Sequence, residues 1–274
     1  MSSTAESTQG MRLLAAAEAG EDLGQRLEQL NAIGAALSAE RDINRLLESI
    51  LTAAKSITRA DGGTLYRLTE DGTLRFEILR TSSLKYYLGG TTGNPVPLYP
   101  IHLMGKDGKP NHSMVAAYAA LTGKTVNIAD AYTADGFDFT GTRNFDKKTG
   151  YRSKSFLTVP MANHEHEIIG VLQLINAQDP KTGEILPFSN ADQRLAESLA
   201  SQAAIALTNR MLINQLEQLF ESFINLINSA IDEKSPYTGG HCQRVPALTM
   251  MLGEAASETE SGPLAEFHLG EKDR

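Results

Sequence analysis

Residues 155–177 read "SFLTVPMANHEHEIIGVLQLINA". Two apolar runs, "SFLTVPMA" and "EIIGVLQLINA", flank the polar "NHEHE", which is the pattern of two strands joined by an exposed turn. The second run is apolar on both faces for much of its length. That places it centrally in a sheet covered on both sides. His164 and His166 sit in the turn, with no third ligand nearby in sequence, and read as exposed turn residues rather than a metal site.

Upstream, "GTLYRLTEDGTLRFEILRTSS" (63–83) is a second hairpin pattern turning at Asp71-Gly72, a favoured two-residue turn signal. In its second arm Leu74, Phe76 and Ile78 alternate with Thr73, Arg75 and Glu77, predicting one buried and one wet face. Before it, Ile43, Leu46, Leu47, Ile50, Leu51, Ala54 and Ile57 form a helical stripe, with Asp42 as N-cap and an end expected near "RADGG" (59–63), where the glycine pair breaks the period. An earlier helical pattern runs through Leu23, Leu27, Leu30, Ile33 and Leu37. Between the hairpins, a helix is expected over about 113–122, closed by Gly123 and followed by a strand through Val126 and Ile128. The stretch 129–151, "ADAYTADGFDFTGTRNFDKKTGY", is polar and rich in Gly and Asp and reads as a long loop. Loops of that length carry function often enough to make its 137–151 part the place to look for a ligand.

Downstream, Leu195, Leu199, Gln202, Ala206, Asn209, Ile213, Leu216, Phe220, Phe223, Ile227 and Ala230 alternate four and three apart within one helical pattern from about 189 to 233. The spacing is that of a seam between two helices, as in a parallel homodimer. A helix packed on its own domain through its first half satisfies the same spacing.

The order helix, hairpin, helix, long loop, hairpin, long helix predicts an α+β fold. One antiparallel sheet has helices packed on one face and a looped pocket on the other, followed by a long coiled-coil helix and a short helical tail. At "TGYRSKSFLTVPM", "EIIGVLQLINA" and "PFSNADQRLAESLASQAAIAL" the sequence resembles a GAF domain of the cyclic-nucleotide phosphodiesterase and bacterial signalling type. The division expected is a flexible N-terminal segment (1–25), a GAF-like sensory domain (26–210), a coiled-coil helix (211–234) and a tail (235–274).

The resemblance implies a module that binds a small ligand, a cyclic nucleotide being one candidate. Members that bind cyclic nucleotides carry an Asn-Lys pair and then Phe with Asp-Glu. Here Asn176, Phe188 and Asp192 match, while Ala177 and Gln193 depart from the pattern, so the Lys–Asp pairing of the family cannot form and Asp192 needs another partner. Phe188 equally serves as a staple beneath a helix, Ser189 or Asn190 as its N-cap, and Asp192 as a favourable charge in a first turn. From the loop, Phe139, Asn144, Phe145, Asp146, Thr149 and Tyr151 are candidates, the aromatics to stack and the polar groups to orient.

The segment "NLINSAIDEKSPYTGGHCQRVPALTMMLGEAA" resembles the start of an HD-type metal phosphohydrolase domain, of the HD-GYP kind that hydrolyses cyclic di-GMP. Thr238, Gly240, His241, Arg244 and Val245 match, and Ser235 and Asp232 depart mildly. The resemblance makes His241 a metal-site position only where a full HD domain follows. Two-metal hydrolysis needs several converging ligands, which His241 with His268 cannot supply. No catalytic residue is therefore assigned, no cofactor is expected in this stretch, and divalent metal is expected only for a complete HD domain. The reading is an incomplete start of an effector domain that the sensor controls. An N-terminal piece of a cyclic di-GMP phosphodiesterase and a ligand-free dimerisation module stand as alternatives.

The 274 residues carry a net charge of −8 and one cysteine. That composition argues against a nucleic-acid surface, which needs clustered cations, and fits a reducing, cytoplasmic compartment. With no long apolar run, no membrane partner is expected.

Overall fold

The computed structural model describes residues 22–234 and 241–270, without the side chains of 232–243. Most of the segment expected to be flexible, and residues 235–240 of the HD resemblance, lie outside the described residues, as does the side chain of His241. The chain divides into two compact units, Met1–Met211 and Leu212–Arg274.

The first unit opens with helix α1 (22–39) and helix α2 (Ile43–Thr58). The Asp42 carboxylate accepts from the Arg45 N–H at 2.8 Å, the expected N-cap. α2 ends within the expected 59–63 stretch, at Arg59, whose left-handed backbone (φ 55°), rather than the glycine pair, closes it. Gly62 and Gly63 instead belong to strand β1 (Ala60–Leu68). A side chain at Gly63 would meet the Leu51 side chain at 2.8 Å, so this glycine serves the close approach of α2 to the sheet.

Strands β2 (Thr73–Thr81), β3 (Tyr86–Gly89) and the two-residue β4 (Ile101–His102) follow. Next come helix α3 (Val115–Thr122), β5 (Val126–Ile128) and helix α4 (Thr140–Thr149). Then β6 (Phe156–Ala162), β7 (Ile168–Gln178), the short β8 (Ile185–Leu186) and helix α5 (Asn190–Lys234). The sheet is antiparallel in the order β3-β2-β1-β7-β6-β5, with β4 on β2 and β8 on β7. The strand predicted to be central, β7, sits between β1 and β6. This is the α+β architecture expected, with one antiparallel sheet and helices packed on it.

One face of the sheet is closed by α1, α2 and the first part of α5. Leu46, Ile50, Leu51 and Ile57 of α2 and Leu195, Leu199 and Leu207 of α5 are buried against Leu65, Leu157, Leu172 and Leu174 of the strands. Ala196, Ala200, Ala203 and Ala204 let α5 lie close. The other face carries two smaller clusters, one under α3 and one around Phe139 and Phe156.

Two expectations need correction. The alternation in β2 does not hold to one face. Leu65 pairs with Ile78 but Tyr66 pairs with Phe76, so Glu77 is an extra residue. This bulge switches the strand's faces. Leu74 belongs to the cluster under α3, and Ile78 to the core beneath α2 and α5. Residues 129–151 are also not loop throughout, since 140–149 form α4. Its sequence has almost no apolar stripe, and its ends are set locally. Asp138 accepts from the Thr140 N–H at 2.8 Å, and Gly150 (φ 72°) caps the other end.

The expected seam along α5 divides at the unit boundary. Leu195, Leu199 and Ala206 are buried in the first unit. Gln202 faces α1, its Oε1 filling the space where a side chain at Gly34 would lie. In the second unit, Ile213, Leu216, Phe220, Phe223 and Ile227 are exposed, between 42% and 65%. That unit also holds helix α6 (His241–Ser257), where Val245, Leu248, Met251 and Leu252 are exposed. No described helix is long and apolar enough to cross a membrane.

Candidate functional site: a hollow on the far face of the sheet

A cavity of about 270 Å³ lies on the sheet face away from α2 and α5. Its floor comes from β1, β2, β6 and β7 through Thr64, Tyr66, Phe76, Thr81, Phe156 and Gln173. Its roof comes from Leu98, the N-terminal ends of α3 and α4, and Tyr151. The bulge at Glu77 shapes this floor, presenting Phe76 before it and Leu79 and Thr81 after it.

Most of the polar groups around the hollow are occupied. The Tyr66 hydroxyl lies 3.1 Å from Gln173 Oε1, and Gln173 Nε2 donates to Thr158 Oγ1 at 3.1 Å. The Tyr151 hydroxyl donates to the buried Asp61 carboxylate at 2.7 Å, which also accepts from the Ser83 N–H and hydroxyl. Burial pushes the Tyr66 phenol above its usual range. Burial, then the Asp61 hydrogen bond, raises that of Tyr151. Thr64 and Thr81 also line the floor, both largely buried (4% and 5% exposed).

Among the lining residues Asp138 carries the one charge. It lies between two helix starts. Its carboxylate accepts from Thr140 at the start of α4, and its N–H donates to Ser113 O at 2.7 Å, one residue before the Met114 N-cap of α3. The hydrogen bonds from Thr140 hold its pKa below the usual carboxylate value. Met114 offers no side-chain cap, so the first N–H groups of α3 remain orphan donors at the cavity wall.

Of the residues singled out in sequence, Phe139, Phe145 and Tyr151 line the cavity. Asn144 and Thr149 are exposed on α4, and the Thr149 hydroxyl donates to Phe145 O at 2.9 Å. Asp146 is turned under α4, accepting from the Ser153 N–H and hydroxyl, each at 2.8 Å, and from the Tyr132 hydroxyl at 2.6 Å. That hydrogen bond raises the Tyr132 phenol, and the Arg152 guanidinium lies over the same ring, 4.3 Å from its centroid. These groups pin the α4 roof to the segment entering β6.

Asn176 is fully buried in a left-handed conformation (φ 58°). Its Oδ1 accepts from the Lys154 and Ser155 N–H groups, and its Nδ2 donates to Arg152 O. Phe188 lies in the core beneath α5. Asp192 forms a reciprocal cap with Ser189: its Oδ2 accepts from the Ser189 N–H and hydroxyl, and its own N–H donates to Ser189 Oγ. Its other oxygen pairs with Arg26 of α1, whose Nε also donates to Ile57 O at 2.7 Å. Arg26 thus supplies the cation that Ala177 lacks.

Sequence reasoning missed Thr64, Tyr66, Phe76, Thr81 and Gln173. The available signal was polar residues inside otherwise apolar central strands, above all Gln173 in "GVLQLIN". His164 and His166 lie in the β6–β7 turn. Among the described residues no group of three His, Cys, Asp or Glu could hold a metal ion.

An antiparallel sheet with helices on one face and a roofed hollow on the other defines an α+β domain built around a candidate small-molecule site. The sequence model of the GAF domain matches residues 42–207, and the chain belongs to the GAF-domain family. It is 25% identical over 205 residues to a "cGMP-specific 3',5'-cyclic phosphodiesterase" of Drosophila sechellia, covering 72% of this chain and 15% of that protein. To a "Dual 3',5'-cyclic-AMP and -GMP phosphodiesterase 11A" of Takifugu rubripes it is 35% identical over 107 residues, 39% of this chain and 11% of the relative. The chain thus spans a small part of these relatives. In structure it is similar to the GAF domain of a phosphoenolpyruvate-protein phosphotransferase from Coxiella burnetii, with a TM-score of 0.52 at 14% identity, covering 70% of this chain and 98% of that one. The corresponding Acinetobacter domain gives a TM-score of 0.50 at 15% identity, with the same coverage.

Proposed function

We propose that this chain is a regulatory sensor module that binds a small organic ligand in the hollow and conveys occupancy along α5 to an effector. The observation that carries this is the aromatic-walled cavity of about 270 Å³, roofed by the starts of α3 and α4, on the sheet face away from the main core. The resemblance beyond residue 225 makes an HD-type phosphohydrolase the expected effector, with His241 as an early metal-site position where that domain is complete. Native mass spectrometry of the full chain after dialysis against a cell metabolite extract tests the reading. A retained small molecule in the wild type, lost in the cavity-filling A116F, is the expected result. Absence of any retained molecule from the wild type, with the fold intact by circular dichroism, overturns it.

The exposed stripe from Ile213 to Ile227 supports a second element, self-association. Its heptad spacing continues unbroken through the second unit, and a second copy in parallel register would cover it. Light scattering on the full chain should give twice the monomer mass, reverting to monomer in F220E. A monomeric wild type at high concentration overturns this element.

A further inference from the structure

We infer that Gln173 is a specificity-determining residue of the hollow. Its side-chain amide reads a flat ligand edge on which an N–H donor and a carbonyl or ring-nitrogen acceptor stand side by side. The inference rests on the sensor reading above and deepens it.

Gln173 is the middle of a polar row that crosses the sheet. Its cross-strand partners are Thr64 of β1 and Thr158 of β6. Around it the floor is apolar or aromatic, with Tyr66, Phe76, Phe156 and Ile175 in the lining. The Tyr66 and Phe76 rings lie 4.7 Å apart between centroids. Among the described residues Gln173 is the one side-chain amide that lines the cavity.

Two hydroxyls hold that amide. Tyr66 donates to Oε1 and Nε2 donates to Thr158 Oγ1, each at 3.1 Å. Because β7 runs between β1 and β6, the two bonds come from strands on opposite sides and together fix the amide plane. A carboxamide accepts two hydrogen bonds and donates two. Gln173 therefore keeps one acceptor site on Oε1 and one N–H on Nε2. Both neighbours are hydroxyls, able to donate or accept, so turning the amide over still leaves one donor and one acceptor. Gln173 is half-buried rather than sealed, which leaves this pair available to an occupant of the hollow.

The complement of such a pair is a lactam, a carboxamide or an amino group beside a ring nitrogen. Side-chain amides meet the adenine edge in the same bidentate way in nucleic-acid recognition. The aromatic walls favour a planar ring system behind that edge. A ligand lacking one of the two groups displaces water from the amide without replacing its hydrogen bonds, and loses affinity for that reason.

Probes that differ only by N-methylation test this. Calorimetry on the full chain would compare cyclic GMP with its derivative methylated at the ring N–H. It would also compare cyclic AMP with its derivative dimethylated on the exocyclic amine, and nicotinamide with its N,N-dimethyl amide. The expected result is that at least one parent binds, about tenfold or more tighter than its methylated partner, a difference of about 1.4 kcal/mol. In Q173M, of similar length but without the amide, that preference should shrink to about threefold or less. Y66F keeps the ring and releases the amide from one side; it should reduce the preference too, and it serves as the test if Q173M does not fold. Equal binding of parent and methylated probe in the wild type overturns the inference and leaves the sensor reading standing. An unchanged preference in Q173M also overturns it, since methylation then acts through shape alone. Failure of every parent probe overturns it too, and the sensor reading falls with it only if the metabolite extract also yields nothing.

Discussion

The two faces of this sheet are built from alternate residues of the same strands, yet they do different things. Along β7, Leu172 and Leu174 enter the core beneath α2 and α5, whereas Val171, Gln173 and Ile175 face the other way. The helix side is filled by long aliphatic side chains against an Ala-rich helix face. The far side is spanned by two short helices that leave a hollow. Stability is concentrated on one face, which frees the other to carry buried polar groups and empty space.

The largest effect that would test this division is on the filled side. Leu172→Ala should cost about 2–5 kcal/mol. It should lower the melting temperature by roughly 5–15 °C in a calorimetric scan. Next comes the tie that holds the filled side together at its end. Arg26→Ala leaves Asp192 without its buried cation and should cost about 3 kcal/mol by urea unfolding. Arg26→Lys should recover part of that loss.

On the hollow side the effects should be smaller and chemical in kind. Burial holds the Tyr66 and Tyr151 phenols above the usual phenol range in the folded protein. A raised folded pKa means that their contribution is fully present below the unfolded pKa and lost as pH rises through the folded one. Stability should therefore fall above about pH 10, with phenolate absorbance appearing together with unfolding. Y151F should weaken that coupling. The smallest effect is expected at Thr81: Thr81→Val changes a cavity-floor hydroxyl outside the aliphatic core, so stability should stay within about 1 kcal/mol, while ligand retention is lost. A large destabilisation there would erase the distinction between the faces.

Much of the filled side was legible in the sequence because it is written in local periods. The stripe of α2, its Asp42 cap and the two hairpin patterns each lie within a few consecutive residues. The hollow was less so. The bulge at Glu77 reverses the faces of β2 through a pairing with β1 that alternation within one strand cannot reveal. α4 forms from a sequence with almost no apolar stripe, held by Asp138, Gly150 and the Asp146 cluster. Asp146 and Asn176 look like ligand-facing residues in sequence, but their polar atoms are taken by Ser153, Tyr132 and the 152–155 backbone. The cation for Asp192 comes from Arg26, 166 positions away. The heptad stripe of α5 ran through two environments, and spacing alone does not mark where one gives way to the other.

The sheet's outer strands are short: β3 spans four residues and β5 three. Unpaired edge backbone is the template on which sheets recruit further strands and grow into aggregates, and short edges blunt it. The domain should thus tolerate the crowding that comes with high expression without fibril-like growth. Where copies do meet, the exposed apolar stripe of α5, rather than the margin of the sheet, is the surface with something to gain.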